Sequence, residues 1–324
     1  MTVVIAFLAN LLVAVAKTFA AVVTGSASLL AEAAHSWADA GNEIFLLVAD
    51  RRSVRPKDGA HPLGYGREAF LWSLFAAVGV FTVGAVVSVM HGVQELFEPE
   101  PEAPSAYLLG YIVLGVSALL EGTSFLQSVV QVRRGAGRTR RRPIDYVLNS
   151  SDSTLRAVFF EDFAALIGLG IAALALMLHQ VTGIAAFDAA GSILIGVLLG
   201  AVAIVLINRN FRLLIGWQPG TVFLERMGRL LLSQPEIQRV TYLHLEFVGP
   251  QRVYLVAAVD IVGDSPEPQV AVALARLARR IEEDEAVETA VLTLSAPDDR
   301  DLAFGDAPAP PPASAPADGE RRAP

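Results

Sequence analysis

The stretch Ser28-Leu-Leu-Ala-Glu32-Ala-Ala-His35-Ser-Trp-Ala-Asp39-Ala-Gly-Asn42-Glu43 sets the frame for the whole chain. At 100° per residue, Glu32, His35, Asp39, Asn42 and Glu43 fall within an arc of about 100° on one helix face, and the other faces are mostly apolar. Placing an ionisable group at the centre of a lipid-embedded helix costs about 2.5–3.5 kcal/mol, so this stripe must look into a polar interior. His35 and Asp39 stand at i and i+4, a spacing that lets one helix offer two ligands to one ion. A nitrogen and an oxygen together suit zinc and other borderline divalent cations better than calcium or magnesium.

Composition fits a helix of that kind. The chain has 324 residues, 53% of them hydrophobic and only 18% charged, which describes a membrane protein with a soluble part. Without cysteine it has no disulfides and no thiolate metal site. The net charge of −8 is spread unevenly, acids and arginines collecting in different loops, so it does not point to nucleic acid or any other polyanionic partner.

Six apolar segments are long enough to span a bilayer: 2–24, 27–49, 69–95, 105–132, 153–179 and 184–207. Runs of this length satisfy their backbone in lipid as helices. The first reads as a retained helix rather than a cleaved signal. Arg51, Arg52, Arg55, Lys57 and Arg67 follow the second span, and Arg133, Arg134, Arg138, Arg140, Arg141 and Arg142 follow the fourth. Both loops are therefore expected in the cytoplasm, with the Lys- and Arg-free connections (Thr24–Ala27, Glu95–Glu102, His179–Gly183) outside and both termini inside. Asn10 and Lys17 on the first span, and Ser117, Glu121, Ser124, Gln127, Ser128 and Gln131 on the fourth, form stripes that should face the second and fifth spans. The third and sixth spans carry small residues, and Gly196 and Gly200 form a Gly-xxx-Gly pair that is a candidate dimer contact.

After Arg212 the composition becomes that of a small soluble domain. Thr221–Leu232 reads as a helix, Val240–Phe247 and Val253–Ile261 as strands around Gly249-Pro250, Pro266–Glu283 as an amphipathic helix and Thr289–Leu294 as a last strand. The expected divisions are a transmembrane domain over 1–215, a compact α+β domain over 216–296 and a disordered Pro/Ala-rich tail over 297–324.

The fifth span supplies the counterpart to His35 and Asp39. Glu161-Asp162 lies within Ala157-Val-Phe-Phe-Glu-Asp-Phe-Ala-Ala-Leu-Ile-Gly, where two adjacent acids need a cation. A structural alternative is neutralisation by Lys17 or by protonation.

Ser26-Ala-Ser-Leu-Leu-Ala-Glu-Ala-Ala-His-Ser-Trp-Ala-Asp-Ala-Gly-Asn, followed by Arg51-Arg-Ser and His61-Pro-Leu-Gly-Tyr-Gly-Arg67-Glu, resembles the cation diffusion facilitators, the zinc transporter family. Asp152-Ser-Thr, Glu161-Asp162 and Phe187-Asp188 are similar too, so that the resemblance runs over roughly 3–295. It implies six transmembrane helices, a cytoplasmic α+β domain of ferredoxin-like, metallochaperone-like form, a homodimer, and export of a divalent cation, zinc foremost, in exchange for protons. It implies no enzyme activity and no organic cofactor. The membrane it implies is the plasma (inner) membrane.

Carried over by position, the resemblance makes His35, Asp39 and Asp162 metal ligands. Many members place a histidine four residues before the fifth-helix aspartate, where this chain has Val158; Glu161 is the expected substitute, about 60° around the helix. The Glu-Asp pair resembles the subgroup of mitochondrial-type zinc transporters. Glu121 is a second candidate. Asp58 and His61 would answer to a further loop site, although Tyr65 stands where another ligand belongs, and His61 is expected rather to order the loop or the dimer. His244, the one histidine of the soluble domain, is expected to be an ordinary strand residue. The missing histidine at Val158 leaves open a second reading, a non-transporting metal sensor or scaffold. An intramembrane hydrolase finds no His-Glu-x-x-His sequence to support it.

Overall fold

A computed structural model describes residues 2–97, 107–139 and 142–304. The helical part runs α1 (Thr2–Thr24), α2 (Ala27–Ser53), α3 (Glu68–Gly79), a π turn (Val80–Val86), α4 (Val87–Phe97), α5 (Tyr107–Thr139), the short α6 (Pro143–Asn149), α7 (Ser153–Thr182) and α8 (Ala186–Leu214). Helix α3, the π turn and α4 form one 30-residue rod, Glu68–Phe97. This rod, α5, α7 and α8 are long and apolar enough to cross a membrane, and α1 adds a shorter apolar stretch, Asn10–Thr24. Helix α2 is 27 residues long, about 40 Å at 1.5 Å per residue, but carries too many ionisable groups to qualify by composition. Its polar stripe is turned inward: Glu32, His35, Ser36 and Asn42 are buried. Leu12, Phe19, Val22, Leu119, Leu194 and Val197 point out of the bundle, where lipid would meet them.

Local chemistry sets the helix ends. The Ser26 hydroxyl accepts from the Leu29 amide at the start of α2, and the Asp152 carboxylate accepts from the Leu155 amide at the start of α7. Gly183, with φ 69°, closes α7 in the left-handed conformation and returns its N–H to the His179 carbonyl.

Helix α8 packs on the third span, α7 and α2. The Gly-xxx-Gly pair serves that packing within one chain. A Cβ on Gly196 would come 2.6 Å from a Val89 methyl and 2.9 Å from the Ala85 carbonyl oxygen, and one on Gly200 would touch Ala85 at 3.6 Å. These glycines face the third span, so the pair packs helices within one chain rather than offering the candidate dimer contact.

The C-terminal domain has the expected order, with longer strands: α9 (Thr221–Leu232), β1 (Ile237–Gly249), β2 (Arg252–Ile261), α10 (Glu267–Ile281) and β3 (Val287–Leu294). β1 and β2 are antiparallel, β2 and β3 parallel, in the sheet order β1-β2-β3. Leu243, Leu245 and Phe247 are buried while Tyr242 is exposed and His244 and Glu246 are half-buried, which is the alternation read from the sequence. The core also takes in Phe70 from α3 and Leu213 from α8, so the domain is seated on the bundle by shared apolar packing.

The ordered chain runs further than the composition suggested. Residues 297–304, expected in the disordered tail, are held along the edge of β1. The Leu302 amide donates to the Val240 carbonyl at 2.8 Å, and Arg239 donates to the Asp299 carbonyl and the Asp301 carboxylate. The rest of that expected tail, 305–324, and most of the acidic connection ending at Glu102 lie outside the described residues.

Candidate functional site

The stripe on α2 meets a different partner at each level. Lys17 of α1 donates to Glu32 at 3.0 Å and lies 3.9 Å from Glu121 of α5; both Lys17 and Glu32 are fully buried. His35 Nε2 and Asp39 Oδ2 of α2 stand 3.5 Å apart. Asn42 donates to Glu161 of α7, and Asn10 donates to Glu43 at 2.7 Å. Thus Glu32, Asn42 and Glu43 make the interhelical bonds that their place on the stripe allowed. The pairing of the Glu161-Asp162 acids with Lys17 is not formed, because Lys17 is taken by Glu32.

The two adjacent acids of α7 part company. Glu161 turns to α2 through Asn42, whereas Asp162 turns to α5 and accepts from Ser124 at 2.8 Å. The 100° step between successive residues produces this split. Of the charged neighbours acting on Asp39, Glu161 acts most strongly, then Glu121, Lys17 and Asp162. Val158, one turn before the pair, is half-buried and offers no ligand.

Buried polar atoms without partners concentrate at the same level: both ring nitrogens of His35 lack a hydrogen bond, as do Asp39 Oδ1, Asn42 Oδ1, Glu43 Oε2 and Glu161 Oε1. Such atoms cost roughly 1–3 kcal/mol each when left unpaired, and the cost is accepted where something else is to be bound. Even so, among the described residues no three His, Cys, Asp or Glu side chains are gathered closely enough to hold a metal ion. His35 and Asp39 stand together on α2, while Glu161 and Asp162 of α7 are bonded to Asn42 and Ser124.

The remaining candidates fall elsewhere. Asp58 and His61 lie together in the loop before α3, where Asp58 accepts from the Ala60 and His61 amides and, at 2.5 Å, from the Tyr65 hydroxyl. The His61 ring stacks on Tyr65 with centroids 3.9 Å apart. These bonds hold the Asp58 carboxyl well below its ordinary value, at about 2, the Tyr65 hydroxyl contributing most. The loop is held by these bonds and, through Lys57, by Glu288 and Thr289 of β3. His244 is half-buried on β1.

Two features escaped sequence reading. Asp188, at the start of α8, accepts from both the Ser28 hydroxyl and, at 3.2 Å, the Ser28 amide, and so satisfies the first turn of α2 from another helix. An acid inside an apolar run was the available signal, but nothing in the sequence linked it to Ser28. Arg156, in the first turn of α7, is buried and donates to Asn210 of α8 at 2.6 Å.

The fold and its interior define a class, helical membrane proteins with a buried stripe of acids and a histidine and a small α+β domain packed on the bundle. Residues 3–215 match the cation efflux transmembrane domain family, and the chain belongs to that family, the cation diffusion facilitators. It is 37% identical over 235 residues to metal tolerance protein C4 of Arabidopsis thaliana, an alignment covering 72% of this chain and 51% of that one. It is 35% identical over 249 residues to the mitochondrial proton-coupled zinc antiporter SLC30A9 of Xenopus laevis, covering 76% and 44%. An uncharacterized transporter of Methanocaldococcus jannaschii is 22% identical over 289 residues, covering 89% and 94%. The chain spans about half the length of the first two relatives.

Proposed function

We propose that this protein moves a divalent metal cation, zinc foremost, across a membrane in exchange for protons. The observation that carries the reading is the cluster of unpartnered atoms on His35, Asp39 and Glu161, deep within the bundle. Their nitrogen and oxygen chemistry suits zinc. The name of the Xenopus relative, a proton-coupled zinc antiporter, agrees with it.

In this reading His35 and Asp39 receive the cation first, and Glu161 and Asp162 leave Asn42 and Ser124 to complete a four-ligand site. The cation needs neutral His35 and ionised carboxylates, so its arrival expels protons. Protons returning from the other side discharge it. Rocking of the helix pairs exposes the site to one face at a time, with the cytoplasm as the side of loading. Helices α1 and α2 then complete six spans, two copies form the working homodimer, and the protein lies in a bounding membrane with both termini in the cytoplasm.

Zinc flux into proteoliposomes under an imposed pH gradient, measured beside manganese, iron, cobalt and cadmium, tests this. Asp39→Ala should abolish flux, and Glu161→Gln should weaken zinc affinity more than Glu43→Gln. Undiminished flux in Asp39→Ala would remove the site. Zinc binding by the wild type without flux would favour a sensor.

A further inference from the structure

At the arginine-rich end of the bundle, α6, α7 and α8 close around a groove whose lining includes Asn149, Ser150, Arg156, Arg209, Arg212 and Trp217; no carboxylate lines it. We propose that this groove binds a phosphate oxyanion, supplied by the headgroup of an anionic phospholipid.

Arg156 makes the strongest case. Its side chain is 1% exposed, yet its two terminal nitrogens donate only to neutral acceptors, the Ser150 carbonyl at 2.7 Å and the Asn210 side-chain oxygen at 2.6 Å. Its Nε is buried without a partner. Asp152, one turn earlier, is the acid acting on it, but that carboxylate is turned to cap the Leu155 amide. Arg209 adds a second positive charge to the same field and spends one nitrogen on Asn149 at 3.2 Å. Arg212 lies with its guanidinium 5.0 Å from the Trp217 ring centroid and is exposed. A buried guanidinium with only neutral acceptors is costly, and an anion is what removes that cost.

The shape and place of the groove choose the anion. The groove is half open, and its space of about 10 Å³ takes one oxygen-sized atom. The exposed rim carries Arg212 and Trp217, so the remaining oxygens would meet a planar fork and an aromatic ring of the kind found at bilayer interfaces. Basic pockets between membrane helices on the positive side are where anionic headgroups dock. Helix α7 also carries Glu161 and Asp162 little more than one turn beyond Arg156, so a bound headgroup would fix the end of the helix that presents them.

The test is thermal melting of the purified full chain in phosphatidylcholine micelles titrated with short-chain phosphatidylglycerol, more phosphatidylcholine, or inorganic phosphate. Phosphatidylglycerol should raise the melting temperature saturably and phosphatidylcholine should not. In Arg209→Gln/Arg212→Gln, whose side chains are at the surface, half-saturation should need about tenfold more phosphatidylglycerol. In Arg133→Gln/Arg134→Gln, which removes equal charge elsewhere, it should not move. Equal half-saturation in the Arg209/Arg212 variant, or an equal loss in the Arg133/Arg134 variant, would overturn the site. Inorganic phosphate reproducing the whole shift at the same concentration would overturn the lipid as its source.

Discussion

In the bundle, Lys17 and Glu32 meet at 3.0 Å with neither side chain exposed, whereas in the C-terminal domain Arg280–Glu236, at 3.0 Å, and Arg239–Asp260, at 2.9 Å, lie at or near the surface. Surface pairs of the second kind contribute at most about 1 kcal/mol and can be lost without consequence for the fold. A buried pair has already given up its hydration, so its two members are bound to each other by necessity. The unpartnered atoms follow the same division: among the described residues, none of the buried side-chain atoms lacking a hydrogen bond falls in 216–304, while those of His35, Asp39, Asn42, Glu43 and Glu161 crowd one level of the bundle. The domain's buried polar side chains are satisfied. The bundle leaves lone pairs open, as the proposed cation passage requires.

The contrast is broken most directly by Lys17→Met. Removing the ammonium strands the Glu32 carboxylate in a closed interior, and unfolding measured in detergent should show a loss of about 3–5 kcal/mol. Lys17→Met/Glu32→Gln should recover most of it, because it removes both charges of the closed pair and keeps the volume, leaving only Glu121, 3.9 Å from the ammonium and partly exposed, without its cation. A double variant as unstable as the single one would show that the ammonium is held for some other reason. Gly66→Ala should cost less, about 1–3 kcal/mol. A Cβ there would overlap the Val248 carbonyl oxygen and stand 2.7 Å from the Gly249 Cα, forcing the β1–β2 turn away from the loop before α3. The same joint contains the Arg67–Glu246 ion pair and the bond from the Gln251 amide to Ser151 at 2.8 Å, so easier proteolysis between the two regions should accompany the loss of stability.

How much of this was legible in the chain depends on whether the signal was periodic or pairwise. The α2 stripe, Lys17 facing it, Ser124 facing α7, and the strand alternation at Leu243–Phe247 all come from fixed angular steps, and each lies where those steps put it. Partner choice is another matter. That Asn42 would take Glu161, that Ser124 would take Asp162, or that Asp188 would reach Ser28 depends on helix rotations set by close packing such as Gly196 against Ala85 and Val89. The extent of the tail was missed for a related reason. Pro- and Asp-rich composition argued for disorder over 297–304, but two residues far away hold it, Arg239 by donating to the Pro297 and Asp299 carbonyls and Val240 by accepting from the Leu302 amide.

The smallest expected effect concerns the loop that joins the two regions. Asp58 titrates at about 2 because the Tyr65 hydroxyl and the Ala60 and His61 amides all donate to its ionised form. A carboxyl whose folded value is depressed contributes order that is fully present above its unfolded value near 4 and is lost only as pH falls through about 2. The loop should therefore keep its His61–Tyr65 stacking through mildly acidic conditions, including those that would discharge the proposed transport site. Carboxyl-labelled aspartate followed by NMR in the full chain checks this. In Tyr65→Phe, which removes the leading donor, the Asp58 resonance should titrate closer to the ordinary value, with the backbone donors retaining part of the depression. A midpoint unchanged by Tyr65→Phe would assign the depression to the other donors, the Ala60 and His61 groups, and the Tyr65 hydroxyl would then contribute nothing to holding the loop.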